Sequence, residues 1–250
     1  MLVIYLVVFM FGLVVGSFLN VCIYRLPLGK SIVSPPSACP ACGTQIKPYH
    51  NIPVFSYLFL GGKCAYCGEP ISVRYPAIEL LNALGYTAAV YRFGADPKAF
   101  LVMLLFSVFV VITFIDLKYQ IIPDYITLPG IVFGLAFGPL FFNTGFINSL
   151  VGAVAGGGLF FLIAVVSRGG MGGGDIKFIA MVGAFLGWRP VLMTIFFGSL
   201  LGALVGAGLL ISKKAGRKTP IPFGPFLVAG ALISIFFGEN ILDFYLNIGG

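Results

Sequence analysis

The sequence predicts an all-α polytopic membrane protein of about eight transmembrane helices, with one small cytoplasmic zinc-binding loop domain. Three observations lead there. Charged residues make up 9% of the 250 and hydrophobic residues 59%, with a mean hydropathy of +1.06, whereas soluble domains carry roughly 25% charged residues. The apolar residues are gathered in long uncharged runs, of the length needed to cross a hydrocarbon core of ~30 Å. Four of the five cysteines form two C-x-x-C pairs inside the one sizeable polar insertion. This composition excludes a disordered chain, a secreted disulfide scaffold and a water-soluble enzyme. It also removes the usual step from a net charge of +7 to a nucleic-acid partner, because in a membrane protein the position of each cation matters more than the sum.

Residues 1–24 carry no charge and are followed by Arg25. A cleavable signal peptide places its positive charge ahead of the apolar run, so this segment reads as an uncleaved first transmembrane helix with its N-terminus outside. Further apolar segments run over about 77–92, 99–115, 125–141, 148–167, 177–188, 190–211 and 224–238, with Asn143, Thr144 and Gly145 marking the turn inside the uncharged stretch 125–167. The run 177–188 is short for a crossing at ~1.5 Å per residue, so it either starts inside the membrane or thins the bilayer. With an outside N-terminus, alternation puts twelve cations on the cytoplasmic side: Arg25, Lys30, Lys47, Lys63, Arg74, Lys118, Arg168, Lys177, Lys213, Lys214, Arg217 and Lys218. The outer side receives Arg92, Lys98 and Arg189. That asymmetry is the one the positive-inside rule demands.

The cytoplasmic insertion 25–76 holds Cys39-Pro-Ala-Cys42-Gly and Cys64-Ala-Tyr-Cys67-Gly. Two such knuckles about twenty residues apart have the spacing of a four-thiolate zinc site. The glycine after each second cysteine suits the positive φ that such a turn needs. A reducing cytoplasm argues against disulfides; a redox-active dithiol pair or free thiols are the alternatives. Cys22 reads as a small buried side chain of the first helix. His50, the single histidine, reads as a loop residue, and its solitude argues against a histidine-based hydrolase or a Ser-His-Asp triad.

Of the eight acidic residues, Glu69, Asp96, Glu239 and Asp243 fall in loops or the tail, and Glu79 opens the second helix. Asp116, Asp124 and Asp175 differ, because alternation puts all three at the cytoplasmic membrane edge, where a carboxylate is costly and suggests function. Two carboxylates that share a proton keep one charged and one protonated. The charged one draws a proton from water while its neighbour polarises a scissile carbonyl. That is peptide hydrolysis without metal, histidine or covalent nucleophile. Asp175 follows Gly172, Gly173 and Gly174, which let backbone approach a substrate closely, and precedes Lys177. Asp124 follows Pro123 and reads as the N-cap of the fourth helix with contact to substrate, leaving Asp116 as the catalytic partner of Asp175.

These stretches resemble one family throughout. Gly16-Ser17-Phe18-Leu19-Asn20 running on to Leu26-Pro27, the paired knuckles, Ile71 to Pro76, Glu79-Leu80-Leu81, Ile115-Asp116 to Pro123-Asp124, Met171-Gly172-Gly173-Gly174-Asp175-Ile176-Lys177 and Thr219 to Pro225 look, in that order, like a type IV prepilin peptidase of the GxGD membrane aspartic peptidase class. The resemblance implies that Asp116 and Asp175 are the catalytic pair. It also implies prepilins or pseudopilins as substrates, with a short basic leader ending in glycine and an apolar helix that usually begins with Phe. The division is then a first helix over 1–24, a four-cysteine zinc-binding domain over 25–76 and a transmembrane aspartic peptidase domain over 77–250, in a bacterial inner membrane with the site at its cytoplasmic face. Relatives with the cysteine loop commonly methylate the new N-terminal amine with S-adenosylmethionine. Gly62 and Lys63 match a family position linked to that step, although no G-x-G-x-x-G turn in the loop independently indicates the cofactor. Two readings from other classes compete: a proton- or cation-coupled transporter using the edge aspartates, and a zinc-loop scaffold that catalyses nothing. Membrane lipid is the other expected partner, and nucleic acid is not one.

Overall fold

The structure is a computed structural model and describes residues 2–168, 170–212 and 221–248. The basic run Lys213, Lys214, Arg217 and Lys218, with Thr219 and Pro220, lies outside the described residues. Among the described residues the fold is helical without strands. Its helices are α1 (Leu2–Arg25), α2 (Phe55–Phe59), α3 (Arg74–Phe93), α4 (Pro97–Tyr119), α5 (Asp124–Phe141), α6 (Phe146–Val166), α7 (Gly173–Leu186), α8 (Trp188–Ile211) and α9 (Gly224–Ile248). Apart from the single turn α2, each coincides with an apolar segment expected from the sequence. The turn between α5 and α6 falls where expected, with Asn143 at φ +52° and Gly145 at φ +74°.

Six of the described helices, α1, α4, α5, α6, α8 and α9, are long and apolar enough to cross a membrane. The other two expected crossings, α3 and α7, do not meet that measure: α3 carries Arg74, Glu79 and Arg92, and α7 has 14 residues.

The chain divides into two compact units, Met1–Val111 and Ile112–Gly250, with the boundary inside α4. In the first unit α1 and α3 meet backbone to backbone. A Cβ added at Gly12 would lie 2.6 Å from Ala83 Cα, and one at Gly16 would lie 2.6 Å from Glu79 Cα. Small residues permit this approach, which is how apolar helices associate where lipid supplies no hydrophobic drive. A buried polar chain reinforces the contact: Asn82 Nδ2 donates to Gly12 O at 2.9 Å, Ser107 Oγ donates to Asn82 Oδ1 at 3.0 Å, and the Tyr86 and Ser107 hydroxyls pair at 2.9 Å.

The second unit is built around α7. Every residue from Phe178 to Leu186 except Ala180 is buried, as expected of a helix that is apolar on all sides. Glycines of its neighbours let them close on it. Gly134 and Gly138 of α5 sit against Ala184 and Phe185, while Gly152 of α6 meets the backbone of Gly183 and Gly187. The shortness of α7 follows from this position, since a helix sheathed by protein need not match the bilayer thickness. Neither alternative drawn from the sequence, a start inside the membrane or a thinned bilayer, is required by its length.

Candidate active site and metal centre

Both cysteine knuckles fold alike. In the first, Cys39 N–H donates to Thr44 O and Gly43 N–H to Cys39 O, each at 2.9 Å; in the second, Cys64 N–H donates to Glu69 O at 2.8 Å and Gly68 N–H to Cys64 O at 3.0 Å. Gly43 and Gly68 adopt φ +70° and +74°, the left-handed conformation expected of the residue after each second cysteine. One antiparallel bridge closes each turn, Ala38 with Gln45 and Lys63 with Pro70. The sulfurs of Cys39, Cys42, Cys64 and Cys67 lie within 4.8 Å of one another, and those of Cys39 and Cys67 are 3.8 Å apart. Sulfurs bound tetrahedrally at ~2.3 Å from zinc are separated by about 3.8 Å, so the four residues fit such an ion. Hydrogen bonds with Thr44 hold the Cys42 thiol down at about 6. Cys67, despite a backbone hydrogen bond at Glu69 that lowers it, is pushed up to about 12 by desolvation and by the thiols of Cys64, Cys42 and Cys39. Thiols this close do not all ionise unless a cation stands between them.

His50 is not among these sulfurs. Its ring packs edge-on between Tyr49 and Tyr66, with centroids 4.5 and 5.6 Å away, so it braces the second knuckle through Tyr66. Gly62 takes φ +70° beneath Tyr57, and its carbonyl accepts the Ile71 N–H at 2.7 Å. Gly62 and Lys63 therefore stand at the base of that knuckle.

In the second unit the structure brings Asp116 and Asp175 together. Asp116, in the last turn of α4, is buried at 5% exposure, and its Oδ2 accepts the N–H of Gly224, the first residue of α9, at 2.9 Å. A carboxylate suits a helix N-terminus, where backbone N–H groups lack partners within the helix. Asp175, half-buried in the first turn of α7, folds its carboxylate over Gly172, where an added Cβ would stand 3.0 Å from Oδ2. The two carboxyl groups act on each other electrostatically. Buried Ile122 packs against a glycine beside each of them. An added Cβ at Gly174 would come within 2.9 Å of Ile122 Cβ, and one at Gly224 would meet Ile122 Cδ1 at 3.3 Å and Asp116 Oδ2 at 2.7 Å. Neither aspartate has a salt-bridge partner among the described residues. Gly173 has open space where a side chain would be.

Asp124 opens α5 but does not join the pair. Its Oδ2 accepts the Lys177 ammonium at 2.7 Å, an exposed ion pair tying the start of α5 to the first turns of α7. The two support residues expected separately thus act on each other. Its side chain makes no capping hydrogen bond to α5; the residue at the cap position is Pro123.

Two residues escaped the sequence reading. Gly224 is a partner of Asp116 from 108 residues away; its signal was the stiff run Pro220 to Pro225 before the last helix. The sequence places Glu79 at the opening of the second helix, whereas α3 begins at Arg74 and holds Glu79 inside it. Glu79 is 7% exposed, and its Oε2 accepts the Val54 N–H at 2.7 Å. Val54 is held at φ +61°, rare for a β-branched residue.

Comparison with known proteins bears on both units. Residues 10–93 match the Bacterial Peptidase A24 N-terminal domain, and residues 103–207 match the Type IV leader peptidase family. The chain is 36% identical to the prepilin leader peptidase/N-methyltransferase of Bacillus subtilis (strain 168), over 97% of this chain and 98% of that protein. It is 39% identical to the protein of the same name from Pseudomonas aeruginosa, over 96% of this chain and 92% of that one. For the one from Aeromonas hydrophila the identity is 36%, over 96% and 93%. No solved structure matches the chain. These findings lend no support to the transporter reading. With relatives matched almost end to end at such identities, the chain belongs to the type IV leader peptidase family.

Proposed function

We propose that this protein is a bifunctional membrane enzyme. It removes the leader from type IV prepilins or pseudopilins and then methylates the new N-terminal amine, with S-adenosylmethionine as methyl donor. The observation that carries the first activity is the pairing of Asp116 and Asp175 from helices separated by 59 residues of chain, one carboxylate fixed by the Gly224 N–H and the other beside open glycine backbone. The charged member of the pair takes a proton from water, and the resulting hydroxide attacks the carbonyl carbon of the leader's last residue. The protonated member hydrogen-bonds the carbonyl oxygen as charge develops there. Collapse of the tetrahedral species breaks the C–N bond and delivers a proton to the departing amine. Gly172 and Gly173 leave room for an extended substrate backbone, and the Asp124–Lys177 pair steadies the start of α7.

The positive-inside count supports an N-terminus outside and a site at the cytoplasmic face. Such a site suits a substrate whose apolar helix lies in the bilayer with its leader in the cytosol. Cys39, Cys42, Cys64 and Cys67 would hold a structural zinc ion, and the methyl donor supplies an electrophilic methyl group. The relatives' N-methyltransferase names support the second activity.

Purified protein incubated with a prepilin and S-adenosylmethionine tests both. The product mass should fall by the leader and rise by one methyl group. Asp116→Asn or Asp175→Asn should lower cleavage by ~10³-fold or more, in the range lost with a general acid or base, while the protein still inserts. Wild-type cleavage by either variant would refute the mechanism.

A further inference from the structure

If the chain methylates, as proposed above, it needs a second site, and the first unit contains a cavity suited to one. It has a volume of about 550 Å³ and lies between the C-terminal half of α1 and the segments around 32–37 and 48–53, within the range of small-molecule sites. Val14, Phe18 and Val21 supply an apolar wall along one face of α1, and Ser17, Arg25 and Asn51 place polar groups in it. Two contacts build the walls. Arg25 donates to Ser31 O at 3.0 Å and Pro35 O at 2.6 Å, clamping one segment to the end of α1. Glu79 accepts the Val54 N–H at 2.7 Å, anchoring the end of the other, and its backbone packs against Gly16, the neighbour of Ser17 on the cavity wall. An apolar cleft thus has a guanidinium at one point and, behind Ser17, a buried carboxylate at another.

We propose that this cavity binds the sulfonium methyl donor, Arg25 meeting its carboxylate and Ser17, with Glu79 behind it, facing its sulfonium. The cavity's polar groups are complementary in charge to parts of the donor. The donor is a purine nucleoside carrying an amino acid, with a carboxylate, an ammonium and a fixed positive charge on sulfur. In the transfer the amine nitrogen's lone pair forms the new C–N bond as the C–S bond breaks. The bonding pair stays on sulfur, the donor leaves as the neutral thioether, and the proton given up by the amine passes to solvent. Glu79 acts here as a positioning residue, through Val54.

Binding of S-adenosylmethionine and of S-adenosylhomocysteine to the purified full chain, beside separate assays of leader removal and methylation, tests this. The two ligands share the carboxylate and differ in the charge on sulfur. Arg25→Gln should weaken both about equally, by roughly tenfold. Glu79→Gln should weaken the sulfonium ligand by about that factor and spare the thioether, a split that a merely structural role of Glu79 would not produce. Val21→Trp, which fills the cavity without touching Glu79, should abolish binding of both and keep the assay informative if Glu79→Gln fails to fold. A wild-type zinc content and proteolysis pattern of 25–76 report that the first unit of each variant is folded. Wild-type protein that cleaves but neither binds nor transfers would overturn the methylation reading and this proposal with it. Wild-type methylation shared equally by all three variants would overturn the placement alone.

Discussion

At Asp116 the decisive neighbour is a backbone N–H. Gly224 donates to Oδ2 at 2.9 Å, and a methyl group on Gly224 would stand 2.7 Å from the same oxygen. Gly224→Ala should therefore displace the carboxylate while leaving the chemical groups in place. A displacement near 1 Å costs about 10²-fold in rate, so leader cleavage should fall by roughly that factor with little change in substrate affinity; an unchanged kcat would show that this contact does not position Asp116. Asp124→Asn tests the division of labour among the three aspartates. It breaks an exposed ion pair worth ~0–1 kcal/mol, so cleavage should stay within about tenfold of wild type, and a loss as deep as that of Asp116→Asn would put Asp124 in the pair instead. The nearness of Asp116 and Asp175 was legible from membrane-edge carboxylates beside glycines. The partnership with Gly224 was not, because 108 residues separate the two and no local pattern relates them. Glu79 was misread for the same reason, since its partner Val54 lies in a polar loop 25 residues earlier.

Among the elements, α7 decides where Asp175 stands. The sequence marks its start by the glycine run but says nothing of what surrounds it, because a short apolar segment reads alike whether lipid or protein covers it. Packing resolves this through Gly152 and Gly183, whose backbones touch. Gly183→Val should destabilise the second unit by about 1–3 kcal/mol or more, the usual cost of overpacking, and should reduce cleavage without altering zinc content. Loss of zinc would tie the knuckles to α7, against the division into two compact units. The clustering of the four sulfurs was legible from spacing alone, as two C-x-x-C-G turns of near-identical hydrogen bonding demand little from the rest of the chain. Cys39→Ser or a strong chelator should remove one zinc per chain and loosen 25–76, since a loop this small draws much of its folding free energy from the metal. Limited proteolysis in that segment measures the effect, and an unchanged digestion pattern would count against a structural ion.

For the whole molecule, the helix positions were legible because uncharged runs between charged turns leave few alternatives. Eight of the nine described helices stand where such runs occur. The number of crossings was less so, because α3 mixes charge with apolar residues and α7 is short. Leader removal rests on one claim, that two acids distant in sequence operate as a single device. A double-mutant cycle of prepilin cleavage measures this most directly, comparing Asp116→Asn, Asp175→Asn and the double variant in the same membrane or detergent. Groups that act as a unit give losses that do not multiply, so each single variant should be about as inactive as the double. Near wild-type cleavage by either single variant, or losses that multiply in the double, would contradict it.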